Sequence, residues 1–241
     1  MDGLIASGST LAVLMTLGTI IGLLDRAQFS PRWLAVAVLL VGINDGLLTL
    51  AFGMIPDLTG GSWNWQGKLL ALGATLAIAS LPTFGWRQSG LTLVQEPGSL
   101  KAALPICIVY CAFFLVIALV FPGGDNNAET IAFQLTMPGL EEELFYRGIL
   151  LLALDKAFLG RKRFLGVDWG WGAVLSCLLF GMTHAFGFAE GQFTFDAIIM
   201  ALTAIPSFLG VWLRLRTQSL LLPVLLHNFG NSFSFIVSAI V

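Results

Sequence analysis

Residues 139–155, GLEEELFYRGILLLALD, place three carboxylates side by side directly ahead of an apolar run. On a helix, residues four apart share a face, and Glu before Arg at that interval is the favourable order. Glu143 and Arg147 are therefore expected to neutralise one another. Glu142 points about 100° away from that pair, from the period of 3.6, and no basic residue on its own helix can reach it. A carboxylate held out of water in this way is suited to general-base work near neutral pH. Pro138 and Gly139 mark either a helix start or a kink. If the helix starts there, Glu141 and Glu142 fall in its first turn, where acidic residues are favoured by the backbone dipole alone.

The chain contains two histidines, and each stands in an apolar stretch with a partner four residues away. Phe180 and His184 share one face, giving an imidazole with an aromatic wall. His227 and Asn231 share another and offer two hydrogen-bond donors pointing the same way, as a developing oxyanion requires. Each piece has a structural alternative. A glutamate run ahead of a helix is commonly a solvated N-terminus, and a lone intramembrane His or the pair Asn228 and Asn231 commonly joins helices. Asp45, in VGINDGLL, marks a helix break or a partner for another polar group, with no specific chemical role. What favours chemistry is the coincidence of three helical pieces, each with one unpaired polar face in apolar surroundings.

Those surroundings are set by composition. Of 241 residues, 57% are hydrophobic and 11% are charged, with a mean hydropathy of +0.88. Soluble domains carry about a quarter charged residues, so the chain reads as an integral membrane protein. It forms one membrane domain over 1–241 with no separable soluble part. Its net charge of −2 is spread over two membrane faces and points to no nucleic-acid partner. Cys107, Cys111 and Cys177 lie in apolar stretches outside any CxxC pair and read as small packing residues.

At about 20 residues per crossing, spans are expected at roughly 4–24, 33–55, 69–86, 101–121, 132–154, 169–187, 195–213 and 218–240. The expected architecture is an all-α bundle of about eight transmembrane helices. The start, MDGLIASGST, lacks a basic signal-peptide region, so the first span is expected to be retained. Lys and Arg collect in alternate loops: Arg26 and Arg32, Arg87 and Lys101, Lys156 with Arg161 to Arg163, and Arg214 with Arg216. The intervening loops carry only Lys68. Positive residues face the cytoplasm, so both termini are expected outside, in the cell membrane if the source is prokaryotic. Trp33, Trp65, Trp86, Trp169, Trp171 and Trp212 fall near span ends, as interfacial anchors do.

Taken in order, EELFYR fits EExxxR, FGMTH fits FxxxH and HNFGN fits HxxxN. This pattern resembles the CAAX-protease and bacteriocin-processing family of intramembrane proteases (CPBP, also called Abi), which includes the type II CAAX prenyl endopeptidases. The likeness covers roughly residues 130–235, the expected catalytic core. It implies peptide-bond hydrolysis in or beside the membrane, on a membrane-associated peptide or prenylated protein. Carried over, it implies that Glu142 and His184 activate a water and that His227 and Asn231 hold the oxyanion. Glu143 and Arg147 brace the helix, beside Phe180.

Family members have also been labelled metalloproteases, with Glu142, His184 and His227 as the corresponding zinc ligands. Zinc would have three protein ligands and an open position, but no HExxH occurs and no further acid is evident to serve as base. A metal-free glutamate mechanism is the favoured expectation. The competing class is a transporter, immunity or scaffolding protein whose polar groups line a path or lock helices. Membrane lipids are the expected surroundings in either case, and the sequence fixes neither substrate nor oligomeric state.

Overall fold

The computed structural model describes residues 2–50, 56, 60–123 and 127–240. Its helices are α1 (Asp2–Leu24), α2 (Pro31–Asp45), α3 (Trp65–Ala79), α4 (Leu100–Val120), α5 (Ala128–Pro138), α6 (Leu151–Ala157), α7 (Trp171–Ala185), α8 (Ala197–Thr217) and α9 (Leu221–Ile240). A π-helical turn, Gly46–Leu50, extends α2, and a π-helical segment, Gly139–Leu150, joins α5 to α6. Every expected crossing therefore has a helix within it, and the protein is an all-α, multi-pass integral membrane protein.

The crossings are unequal. Among the described residues, five helices are long and apolar enough to cross a bilayer: α1, α2 with its extension, α4, α8 and α9. Helices α3 and α7 have 15 residues each, about 22 Å at 1.5 Å per residue, short of a ~30 Å hydrocarbon core. The 132–154 crossing is broken into α5, the π segment and α6. These shorter or broken pieces carry Lys68, the three glutamates, Arg147 and His184, and α9 carries His227 and Asn231, while α1, α4 and α8 turn large apolar side chains outward, as Leu104, Ile108 and Val116 of α4 do.

Local sequence explains where helices begin. Asn64 Oδ1 caps α3 by accepting from Gly67 N–H at 2.8 Å, and Asn127 Oδ1 caps α5 by accepting from Thr130 N–H at 2.8 Å. Asp196 accepts from Ile198 and Ile199 at the head of α8, and Pro31 occupies the first turn of α2. Side-chain acceptors of this kind meet the orphan N–H groups of a first turn. The helix carrying the glutamates begins at Ala128, not at Pro138, so the carboxylates are not in a first turn. Pro138 lacks an N–H, and Gly139 N–H turns to Asn228 Oδ1 of α9 at 2.7 Å. The α-helical ladder is disturbed there, and the helix continues in the wider π form. A side chain on Gly139 would collide with the Asn228 amide and the Val224 carbonyl, so α9 can approach this closely only at a glycine.

All four basic loops gather at one end of the bundle. Leu159 N–H bonds Gln28 O at 2.9 Å, Lys156 Nζ bonds Thr83 O at 2.5 Å, Arg214 Nη2 bonds Gln88 O at 2.7 Å, and Glu96 N–H bonds Thr217 O at 2.8 Å. The alternation of loop charge is thus a real separation of ends. Two short antiparallel hairpins interrupt the helices, Lys162–Phe164 with Val167–Trp169 and Phe186–Ala189 with Gln192–Phe195. Trp212, expected as an interfacial anchor, is turned inward instead and donates Nε1–H to Leu165 O. Its indole is 8% exposed. The main core lies between α1, α2, the π segment, α6 and α7, around Leu34, Val41, Phe145, Ile149, Leu154 and Leu179. Cys107 and Cys177 are buried, Cys111 is partly so, and all three thiols are free.

Candidate active site

The π segment turns its three glutamates in two directions, Glu141 and Glu142 toward Lys68 and Glu143 toward Arg147 and His227. Glu143 turns toward α9 and its own chain downstream: Oε2 lies 3.3 Å from Arg147 Nε, and Oε1 lies 2.7 Å from His227 Nδ1. The expected pair with Arg147 is present, and its side chains are only 2–3% exposed. The Arg147 guanidinium also lies over the Phe180 ring, 4.1 Å from its centroid. A carboxylate can only accept, so the proton between Glu143 and His227 resides on Nδ1.

Glu142 turns the other way. Its Oε1 is 2.5 Å from Lys68 Nζ on α3, and the same ammonium is 2.6 Å from Glu141 Oε2. No basic residue of its own helix meets Glu142; the cation comes from another helix. Lys68 stands one turn inside α3 and reaches inward across to the π segment, which sequence spacing within a single helix could not reveal. Glu141 is wholly buried.

The second oxygen of Glu142 has no hydrogen-bond partner among the described residues. It faces His227 Nε2 at 3.6 Å and His184 Nε2 at 3.9 Å. Both gaps exceed a direct hydrogen bond and suit an intervening water. His184 donates Nδ1–H to Phe180 O at 2.8 Å, which in the neutral ring leaves Nε2 as an acceptor. Phe180 packs on both imidazoles, with centroids 4.6 Å from His184 and 6.0 Å from His227.

These groups share one cavity of about 580 Å³, lined by Lys68, Glu142, Glu143, Arg147, Phe180, His184, His227 and Asn231. Asn231 is exposed to it and makes no hydrogen bond among the described residues. All seven residues singled out from the motifs therefore converge. Asn228 does not join the reactive group; it holds Gly139, as interhelical contacts do. Asp45 ends the regular part of α2 at the π turn, away from the cavity lining.

Comparison with known sequences bears on this arrangement. Residues 125–233 match a family model described as Rce1-like, type II CAAX prenyl endopeptidase Rce1-like. Over these residues the chain is similar to the type II CAAX prenyl endopeptidases. No curated protein and no solved structure compared with the chain matches it. The matched segment holds all three motifs, EExxxR, FxxxH and HxxxN.

Part of the cavity comes from outside the matched segment. Trp63, Asn64 and Lys68 enter from α3 and the residues before it, and Tyr110 and Phe114 from α4. Sequence analysis assigned none of these to the site. Lys68 did carry a signal, as a lone basic residue near the head of an apolar helix on the sparsely charged side. Tyr110 carried none, being one aromatic among many in a lipid-facing stretch. Glu129 was also passed over: its carboxylate accepts from Ser62 N–H at 2.9 Å, Ser62 Oγ at 2.8 Å, Trp63 N–H at 3.2 Å and Trp65 Nε1 at 3.2 Å. That clamp fixes the chain entering α3.

Proposed function

We propose that this protein is an intramembrane endopeptidase in which Glu142 and His184 activate a water for attack on a peptide carbonyl. The observation that carries the reading is the free Oε2 of Glu142, which faces the Nε2 atoms of His184 and His227 across gaps of 3.9 and 3.6 Å. Water in that gap can give one proton to Glu142 or to the Nε2 lone pair of His184 as its oxygen bonds the carbonyl carbon. The carbonyl oxygen becomes an oxyanion and accepts from Asn231 Nδ2–H and, with the ring protonated on both nitrogens, from His227 Nε2–H. In this reading the His227 ring enters the step already protonated on both nitrogens and takes no proton from the water, and its positive charge lies against Glu143. The proton taken from water then passes to the amide nitrogen as the C–N bond breaks, leaving an amine and a carboxylic acid whose remaining proton is released to the amine or to water.

The cavity, about 580 Å³, has room for a short extended peptide, and its apolar walls suit a membrane-associated or prenylated one. The donor set fits zinc poorly. No group of three or more His, Cys, Asp or Glu among the described residues is arranged to hold a metal, and the Lys68 ammonium already occupies one oxygen of the only acid facing both imidazoles. No step is routed through a metal. Proton transfer of this kind contributes roughly 10²–10⁴-fold, so Glu142→Gln should lose at least that in turnover of a prenylated peptide while eluting and melting like the parent. Full activity in the folded variant ends the proposal.

A further inference from the structure

Among the described residues lining the cavity, Lys68 is the one charged residue outside the family match, and its side chain is 13% exposed. A lysine one turn inside a membrane helix ordinarily lays its methylenes along the protein and reaches for water. This one turns inward and meets two carboxylates. We infer that Lys68 is a positioning residue of the reaction: by holding Oε1 of Glu142 it turns Oε2 toward His184 and His227. The inference rests on the proteolytic reading above.

The argument is geometric. The two oxygens of a carboxylate are equivalent until something distinguishes them, and a side chain with three rotatable bonds has several orientations available. At 2.5 Å the ammonium fixes which oxygen is bound, and the other is the one without a partner. The ammonium is itself fixed from two sides. Glu141 Oε2 holds it at 2.6 Å from the same π segment, and the head of α3 is anchored by the Asn64 cap and the Glu129 clamp. The other charged groups nearby are engaged elsewhere, since Arg147 pairs with Glu143 and Glu143 binds His227. Among the described residues no other cation is within 4 Å of Glu142 besides the two imidazoles. The site is therefore completed by the N-terminal half of the chain, although the recognisable motifs all lie in the C-terminal half.

A merely structural Lys68 would serve only to balance two buried acids. The variant Lys68→Met/Glu141→Gln separates the two roles, because it removes one positive and one negative charge and leaves the local balance unchanged. The full chain would be purified in detergent and kcat and KM measured with an internally quenched, C-terminally prenylated peptide. Parent, Glu142→Gln, Glu141→Gln, Lys68→Met and the double variant are compared, with thermal melting on each.

The expected result is a double variant that melts like the parent, with kcat lower by about tenfold or more and KM changed less than about twofold, the mark of an interaction used in the transition state. Glu141→Gln alone, which leaves the ammonium on Glu142 Oε1, should lower kcat less than the double variant does. A folded double variant with parental kcat overturns the inference, and so does a double variant that fails to fold, since either makes the amine structural. Activity in Glu142→Gln overturns the proteolytic reading itself, which distinguishes the two failures.

Discussion

Oε1 of Glu143 accepts a hydrogen bond from Nδ1 of His227 at 2.7 Å, across 84 residues of chain. The glutamate expected only to brace its own helix against Arg147 thus also orients the histidine assigned to the oxyanion. Fixing one ring nitrogen determines which face the other presents, and here Nε2 is aimed into the cavity toward Glu142. Support and chemistry are joined through a single carboxylate.

Arg147→Ala should mainly cost folded protein. Its removal leaves Glu143 buried without its cation and frees the Phe180 ring of its guanidinium cover. Breaking a buried pair from one side costs roughly 3–5 kcal/mol, a large part of a membrane domain's margin. The measurements are yield of monodisperse protein and melting temperature in one detergent. Parental yield and melting with lost turnover would assign Arg147 to the reaction instead.

Asn231→Ala should act in the opposite way. The side chain is exposed to the cavity and holds no other described group, so folding should be unchanged. Losing one oxyanion donor costs about 2.7–4 kcal/mol of barrier, or ~10²–10³ in kcat. Steady-state kinetics on the purified variant decide the matter, and an unchanged kcat removes Asn231 from the site.

Chelation separates the metal-free mechanism from a zinc one. After prolonged exposure to a strong chelator and desalting, turnover should persist, and elemental analysis should find no stoichiometric zinc in the active protein. Loss of activity that returns with added zinc would reverse the assignment, because three-ligand catalytic sites depend on their metal outright.

The Glu129 clamp should be pH-dependent. Hydrogen bonds from the Ser62 hydroxyl, then from Ser62 N–H, Trp63 N–H and Trp65 Nε1–H, hold this loop-end carboxyl below the usual glutamate range against a small opposing effect of desolvation. A depressed value in the folded state means that the clamp stabilises above the unfolded pKa, about 4.3, and is lost as pH falls through the folded value. Amide exchange of the 62–66 segment at neutral pH should be faster in Glu129→Ala than in the parent. Equal protection in the two proteins would show that Trp63 and Trp65 hold the segment by packing on Phe133 alone.

The π segment shows how far local pattern reached. Spacing of four paired Glu143 with Arg147 correctly, and set Glu142 on a different face, because both relationships are internal to one helix. The same logic placed Phe180 beside His184 and gave His227 and Asn231 a common cavity. At Pro138 and Gly139 it left a helix start and a kink both open, and the structure shows the helix continuing through a π turn, where Gly139 N–H meets Asn228 of another helix. It failed at Lys68, whose charge looked like a loop residue until α3 was seen to turn it inward.

Composition and spacing alone determined that this chain is a membrane bundle, roughly where its helices run, which loops share an end, and which polar residues share a helix face. Those properties follow from bilayer thickness, from the cost of charge in hydrocarbon and from helical periodicity, all readable along one strand of text. Tertiary structure alone decided that Glu142 has one oxygen bound and one free, that Glu143 serves His227, and that the N-terminal half supplies the cation. Those depend on side chains from α3, the π segment, α7 and α9 meeting at hydrogen-bond distance, and no spacing within a single helix encodes a meeting between helices.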